Sequence, residues 1–130
     1  MKNYAMRCAL IGQKLGHSYS KQIHEKLGRY EYDLIETEID GLEALLNDGR
    51  YSGFNVTIPY KQEVMRYCGS LSDTARDIGS VNTIFRKADG ALCGHNTDFE
   101  GFAAMAKRAG IEFVGKKVLI LGSGDRKSVV

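Results

Sequence analysis

Residues 7–27, RCALIGQKLGHSYSKQIHEKL, decide the fold. Arg7 to Gly12 is a short apolar run of strand length, and between Ser20 and Gly28 the side chains of Ile23 and Leu27 stand four apart, as on one face of a helix. A strand that hands on to a helix is a βα unit, and the pairing returns downstream. Tyr32 to Ile39 alternates as a half-exposed strand, after which Asp40 and Glu43, three apart, make a capping-box-like start for a helix carrying Leu42, Leu45 and Leu46. Asn47, Asp48 and Gly49 end it. Phe54 to Ile58 is a third strand, and Pro59, the only proline, suits the first position of a helix over 60–68. A short helix is expected over Asp73 to Ile78. Val81 to Arg86 and Ala91 to His95 flank the turn formers Asp89 and Gly90 as a hairpin. Thr97 as N-cap with Glu100 at N3 opens a further helix, with Phe99, Phe102, Ala103 and Ala106 facing inward and Gly110 stopping it. Lys117 to Leu121 reads as a buried strand. Repeated βα units predict a three-layer α/β/α domain around a mixed, mostly parallel sheet, with the hairpin as an antiparallel portion at one edge.

Composition agrees with one ordinary globular domain. The 130 residues carry 18 Lys and Arg against 16 Asp and Glu, a net charge of +2, with 43% hydrophobic and 26% charged residues. These values exclude disordered, collagen-like and coiled-coil chains. Basic residues stand singly or in pairs such as Lys107–Arg108 and Lys116–Lys117, not in the stripe that phosphate neutralisation needs, so no nucleic-acid partner is expected. No apolar run approaches the roughly 18 residues that span a bilayer, and MKNYAMRCALIG has too short an apolar stretch for a signal peptide. A cytoplasmic protein with no membrane partner is the expectation. Cys8, Cys68 and Cys93 lie far apart without a CxxC pair, which argues against a zinc ribbon or disulfide framework. All three read as reduced, Cys8 and Cys93 as small buried hydrophobes and not as nucleophiles, and no metal is expected.

Polar clusters fall at the ends of the expected strands, where open α/β sheets bind ligands. In GHSYS, Gly16 to Ser20, two hydroxyls at Ser18 and Ser20 could hold one carboxylate, or Ser20 could merely cap the following helix. In GFNVTIPYK, Gly53 to Lys61, Asn55 and Thr57 share one strand face, and the turn at Pro59 lets Lys61 look back at it, either as a proton donor or as a solvated lysine. GSVNT (Gly79 to Thr83) and GHNTDFEG (Gly94 to Gly101) flank the hairpin. Asn82 and Asn96 can each donate and accept, as suits a polyol, and Asp98 in the first turn of its helix keeps its charge cheaply. Taken singly these are also ordinary turn and first-turn residues.

HSYS, NVTIPYK, GSVNTI and GHNTDFEG, in this order and at this spacing, resemble the substrate-domain motifs of the shikimate dehydrogenase family, over residues 7–124. The resemblance implies an oxidoreductase of the shikimate pathway, reducing 3-dehydroshikimate to shikimate in chorismate and aromatic amino acid biosynthesis, with an NADP-binding Rossmann domain after the substrate domain. It implies further that Ser18 and Ser20 hold the substrate carboxylate, that Thr57, Asn82 and Asp98 bind ring hydroxyls, and that Asn55 supports the same pocket. Lys61, paired with Asp98, becomes the catalytic group that moves the proton. Lys21 departs from the pattern, standing where the family often has proline.

A fifth cluster, KKVLILGSGDRKSVV, begins a dinucleotide-binding unit, with Gly122 and Gly124 spaced as the first two glycines of GxGxxG. Asp125 and Arg126 stand where the family has small residues, and Lys127 replaces the third glycine. The expectation is therefore a substrate-binding domain over 1–110 and the first strand of a truncated Rossmann domain over 111–130, its two glycines a non-functional remnant. The chain alone is expected to bind no NADP and to be inactive. A quinate or quinate/shikimate dehydrogenase fragment, and a non-catalytic module that binds a cyclic polyhydroxy acid, fit the same motifs.

Overall fold

The computed structural model describes residues 6–122, and the chain divides into two compact units, Met1–Phe99 and Glu100–Val130. In the first, β1 (Arg7–Gly12) pairs in parallel with β2 (Glu31–Glu36) on one side and with β3 (Gly53–Val56) on the other. β3 in turn pairs antiparallel with β5 (Thr83–Arg86), which forms the expected hairpin with β6 (Leu92–His95). Short β4 (Ser70–Leu71) lies parallel to β6 at the edge, so the order is β2-β1-β3-β5-β6-β4. The sheet is mixed and mostly parallel, as the repeated βα units predict.

Period-two alternation divides the side chains between two faces. Ala9, Ile11, Phe54, Val56 and Ile84 join one core with Leu42, Leu46, Val64, Ala75 and Val81, from α2 (Leu42–Leu46), α3 (Asp73–Ile78) and the segments beside them. Cys8, Leu10, Leu15 and Tyr32 form a smaller cluster on the other face, where α1 (Ser20–Leu27) packs beside β2. Helices thus cover both faces. Arg86 fastens the core side: its guanidinium donates to the carbonyls of Leu46, Asp48 and Tyr51, at the end of α2 and just beyond it.

Several local expectations give way to tertiary demands. Asp40 and Glu43 form no capping box: a 3₁₀ turn covers Ile39–Gly41, and α2 begins at Leu42 with no side chain capping it. β2 accordingly ends at Glu36, three residues early. Pro59 follows a cis peptide bond and starts no helix, and a 3₁₀ segment, Glu63–Tyr67, replaces the helix expected over 60–68. Tyr60 supplies a reason, since its amide closes a turn on the Thr57 carbonyl and its buried ring sends a hydroxyl to the Thr37 carbonyl. Ile23 and Leu27 leave the α1 face exposed. Helix α4 (Asp98–Arg108) is capped by Asn96, whose side-chain Oδ1 accepts from the Phe99 amide, and not by Thr97. Of its expected inward face only Ala106 is buried among the described residues, and Phe99 and Phe102 are exposed.

In the second unit Gly110, in the left-handed region at φ 69°, stops α4 as expected, and Phe102 stacks on Phe113. Residues 117–121 form no strand among the described residues, and Val118 to Leu121 are exposed. An apolar run of this kind becomes a strand only when neighbours take up its backbone groups, and none among the described residues does. Gly124, Asp125, Arg126 and Lys127 lie outside them. No helix of the described residues is long and apolar enough to cross a membrane.

Gly53 sits where β3 approaches β5 most closely, and a Cβ there would meet the Ile84 carbonyl oxygen at 2.8 Å. Backbone cannot swing aside as a side-chain tip can. Gly53→Ala should destabilise the fold by roughly 1–3 kcal/mol, the usual cost of overpacking, read as a lower urea midpoint with an unchanged m-value.

Candidate active site

The sheet order itself makes a crevice. β1 hands on through α1 to β2 at one edge, whereas β3 leads away to the hairpin on its other side, so the connections diverge at the carboxyl ends of β1 and β3. Gly12 lets the two loops approach there, because a Cβ on it would fall 2.7 Å from both Leu15 and Thr57 side-chain carbons. The antiparallel hairpin adds its own polar segments: Thr83 at the start of β5 faces His95 at the end of β6, and Asn55 of β3 is paired with Thr83.

A cavity of about 560 Å³ opens at this point. All seven side chains singled out in the sequence, Ser18, Ser20, Asn55, Thr57, Lys61, Asn82 and Asp98, line it. Within it the Lys61 ammonium donates to Asp98 Oδ2 at 2.6 Å, although the two residues are 37 apart in the chain. The Lys61 side chain is 30% exposed and that of Asp98 58%. Ion pairs this accessible contribute at most about 1 kcal/mol to stability.

Ser20 is the first residue of α1 and not its cap; its amide donates to the Ser18 hydroxyl oxygen at 3.2 Å. That leaves the Ser18 proton free to donate into the cavity. The loop carrying both serines is pinned from outside, since the Leu15 amide donates to Glu36 Oε1 at 2.7 Å. Asn82 is held at the hairpin mouth: its Oδ1 accepts the Thr97 amide at 2.9 Å and the Thr83 hydroxyl at 3.1 Å, and its Nδ2 donates to Thr97 Oγ1. Asn96 stays buried and outside the cavity lining, donating to the Ser80 carbonyl. Its side-chain oxygen accepts the Phe99 amide, so both ends of the amide are engaged within the fold.

Sequence reasoning missed Lys14, His17 and His24, which also line the cavity. The first two lie in or next to the GHSYS loop and could have been included with it; His24 gave no signal beyond its place on α1. Its ring stacks on Tyr32 with centroids 3.9 Å apart and bonds the Tyr30 hydroxyl, and burial pulls its pKa below the usual histidine value. Burial also raises the Cys8 thiol and pushes Cys68 up to about 11. Neither is a thiolate at neutral pH, consistent with cysteines that serve as small apolar residues. Gly122 has φ 97°, but residues 118–121 make no strand to present it and the residues after it lie outside those described. The described residues thus provide no seat for a pyrophosphate.

Comparison with known proteins fits this geometry. The family model for the shikimate dehydrogenase substrate binding domain matches residues 10–84. The NADP(+)-named shikimate dehydrogenase of Exiguobacterium is 41% identical over 127 residues, covering 92% of this chain and 48% of that protein. Shikimate dehydrogenase 1 of Peptoclostridium difficile superposes with a TM-score of 0.76 at 35% identity, over 82% of this chain and 42% of its own. The Thermus thermophilus shikimate 5-dehydrogenase solved with shikimate gives 0.75 at 32%, over 82% and 44%. The chain spans about half the length of the curated relatives it matches.

His24 yields a pH dependence whose sign follows from its environment. Its folded pKa lies below the unfolded value of 6.5, so its contribution to stability is complete above pH 6.5 and declines as the pH falls from there towards the folded pKa, where the unfolded chain binds the extra proton. Chemical denaturation at stepped pH should show this decline, and His24→Phe, which keeps an aromatic ring against Tyr32, should flatten it.

Proposed function

The chain belongs to the shikimate dehydrogenase substrate-binding domain family, and from that membership we propose that its cavity binds shikimate and 3-dehydroshikimate and carries the proton-transfer half of their interconversion. The carrying observation is the Lys61–Asp98 contact of 2.6 Å inside a cavity whose lining includes Ser18, Ser20, Asn55, Thr57 and Asn82. A cyclic polyhydroxy acid needs one region for its carboxylate, several hydroxyl partners and one group able to hold or release a proton. Ser18 and Ser20, then Thr57, Asn55 and Asn82, and then Lys61 are lining groups of these kinds.

In this reading Ser18 and Ser20 hydroxyls hold the carboxylate, and Thr57, Asn82 and Asp98 take the ring hydroxyls. Reducing a ketone builds negative charge on its oxygen, and the Lys61 ammonium both stabilises that charge and delivers the proton. In the reverse direction the amine of Lys61 accepts the proton from the hydroxyl. Asp98 orients Lys61 by its hydrogen bond and, with its second oxygen, accepts a substrate hydroxyl. Positioning by several weak contacts is itself catalytic, since it replaces a bimolecular encounter with a fixed geometry.

The relatives are named for NADP(+), and NADP as hydride partner in a full-length enzyme carrying this domain is part of the proposal. It extends to the division of the chain, with residues 1–110 as the substrate-binding part and 111–130 as the start of a dinucleotide-binding part.

Calorimetric titration of the chain with shikimate tests the reading, and saturable one-to-one binding weakened by Ser18→Ala or Asp98→Asn is the expected result. Absence of binding to both shikimate and quinate overturns it. In a full-length enzyme carrying this domain, Lys61→Ala should lower kcat by about 10²- to 10⁴-fold, the usual worth of a general acid, with KM changed by only a few fold.

A further inference from the structure

One buried hydroxyl is unaccounted for by packing. Tyr32 on β2 is 2% exposed, and its ring lies flat against His24, yet its hydroxyl crosses over β1 to donate to Asn55 Oδ1 on β3 at 2.7 Å. Phenylalanine would fill the same space. From Asn55 the hydrogen bonds continue in one direction: Nδ2 donates to Thr83 Oγ1 at 3.3 Å, and the Thr83 hydroxyl donates to Asn82 Oδ1 at 3.1 Å. The far end is fixed by the Thr97 backbone amide, which can only donate, to the same Asn82 oxygen. With Asn82 Oδ1 an acceptor, Thr83 gives its proton there and offers its lone pairs to Asn55, which must answer with its nitrogen. The Asn55 oxygen is then left facing a phenol that donates.

We propose that Tyr32, which does not line the cavity, is a positioning residue that, by satisfying the Asn55 oxygen, holds the amide in the orientation set through Thr83, so that both cavity asparagines present N–H donors to the ligand. Asn55 and Asn82 each have one amide proton left over, whereas Asn82 Oδ1 is filled by its partners. Both amides therefore recognise acceptor oxygens, and Asp98 is the charged acceptor for a ligand hydroxyl proton. Burial raises the Tyr32 pKa and keeps the phenol protonated, so it remains a donor. The consequence for ligand affinity rests on the substrate reading above; the locking of the amide does not.

The test uses the 130-residue chain and a double-mutant cycle. Tyr32→Phe should weaken shikimate binding about tenfold and Asn55→Ala by at least as much, while Tyr32→Phe added to Asn55→Ala should cost nothing further. Unchanged affinity in Tyr32→Phe, or an equal loss in the Asn55→Ala background, overturns the proposal. A ligand-free readout runs beside it: the Asn55 side-chain amide resonances should shift or broaden in Tyr32→Phe, and unmoved resonances overturn the proposal whatever shikimate does. If the resonances move but the wild-type chain does not bind shikimate, the substrate reading fails and the positioning role stands. Thr83→Val breaks the same series at its other end and should reproduce the loss and the resonance shift, so a misfolded Tyr32→Phe does not end the test.

Discussion

Strand β3 pairs parallel with β1 on one side and antiparallel with β5 on the other, and the site depends on that double pairing. The parallel side places the ends of β1 and β3 together, where their loops diverge and leave room for a ligand. The antiparallel side reverses the hairpin, so that the start of β5 and the end of β6 arrive at the same place. Four segments widely separated in the chain thereby contribute side chains to one cavity. The absence of a Cβ at Gly53 and Gly12 permits the close approach on both sides; larger residues would push apart the strands and loops that carry Asn55 and Thr57.

Polar order in the cavity follows from backbone constraints more than from the number of polar residues. An asparagine amide can face either way, and a site with freely turning amides would accept donors and acceptors alike. Here the Thr97 backbone amide settles Asn82, and the direction propagates through Thr83 and Asn55 to a buried phenol. Such a series is held by its weakest junction, the 3.3 Å contact between Asn55 and Thr83. The ion pair of Lys61 and Asp98 belongs to the same cavity in a more accessible position, which supports the proton transfer proposed for it.

Most of the architecture was legible in the sequence because it rests on periodicity. The apolar run over Arg7–Gly12, the turn residues Asp89 and Gly90, and the helix over Asp73–Ile78 all match the structure. The candidate residues were also legible, since Ser18, Ser20, Asn55, Thr57, Lys61, Asn82 and Asp98 fall at strand ends where polar side chains gather. Expectations failed where a local preference competed with a distant partner. Asp40 and Glu43 offered a capping box, but burial of Leu42 and Leu46 set the helix start. Thr97 looked like a cap, but its amide and hydroxyl are engaged by Asn82. Residues 117–121 looked like a strand because apolar runs do, and a strand needs neighbours that no local pattern can supply.

By itself, then, the sequence determined the succession of strands and helices and the chemistry offered at their ends, because both are written in spacing and residue type. Only the tertiary structure decided which of those ends meet. That Lys61 reaches Asp98 across 37 positions, that Tyr32 reaches Asn55 across 23, and that His24 lies beside the cavity follow from strand order and register. Strand order is chosen by the burial of two whole sheet faces at once, a sum over the chain to which no single stretch of residues holds the answer.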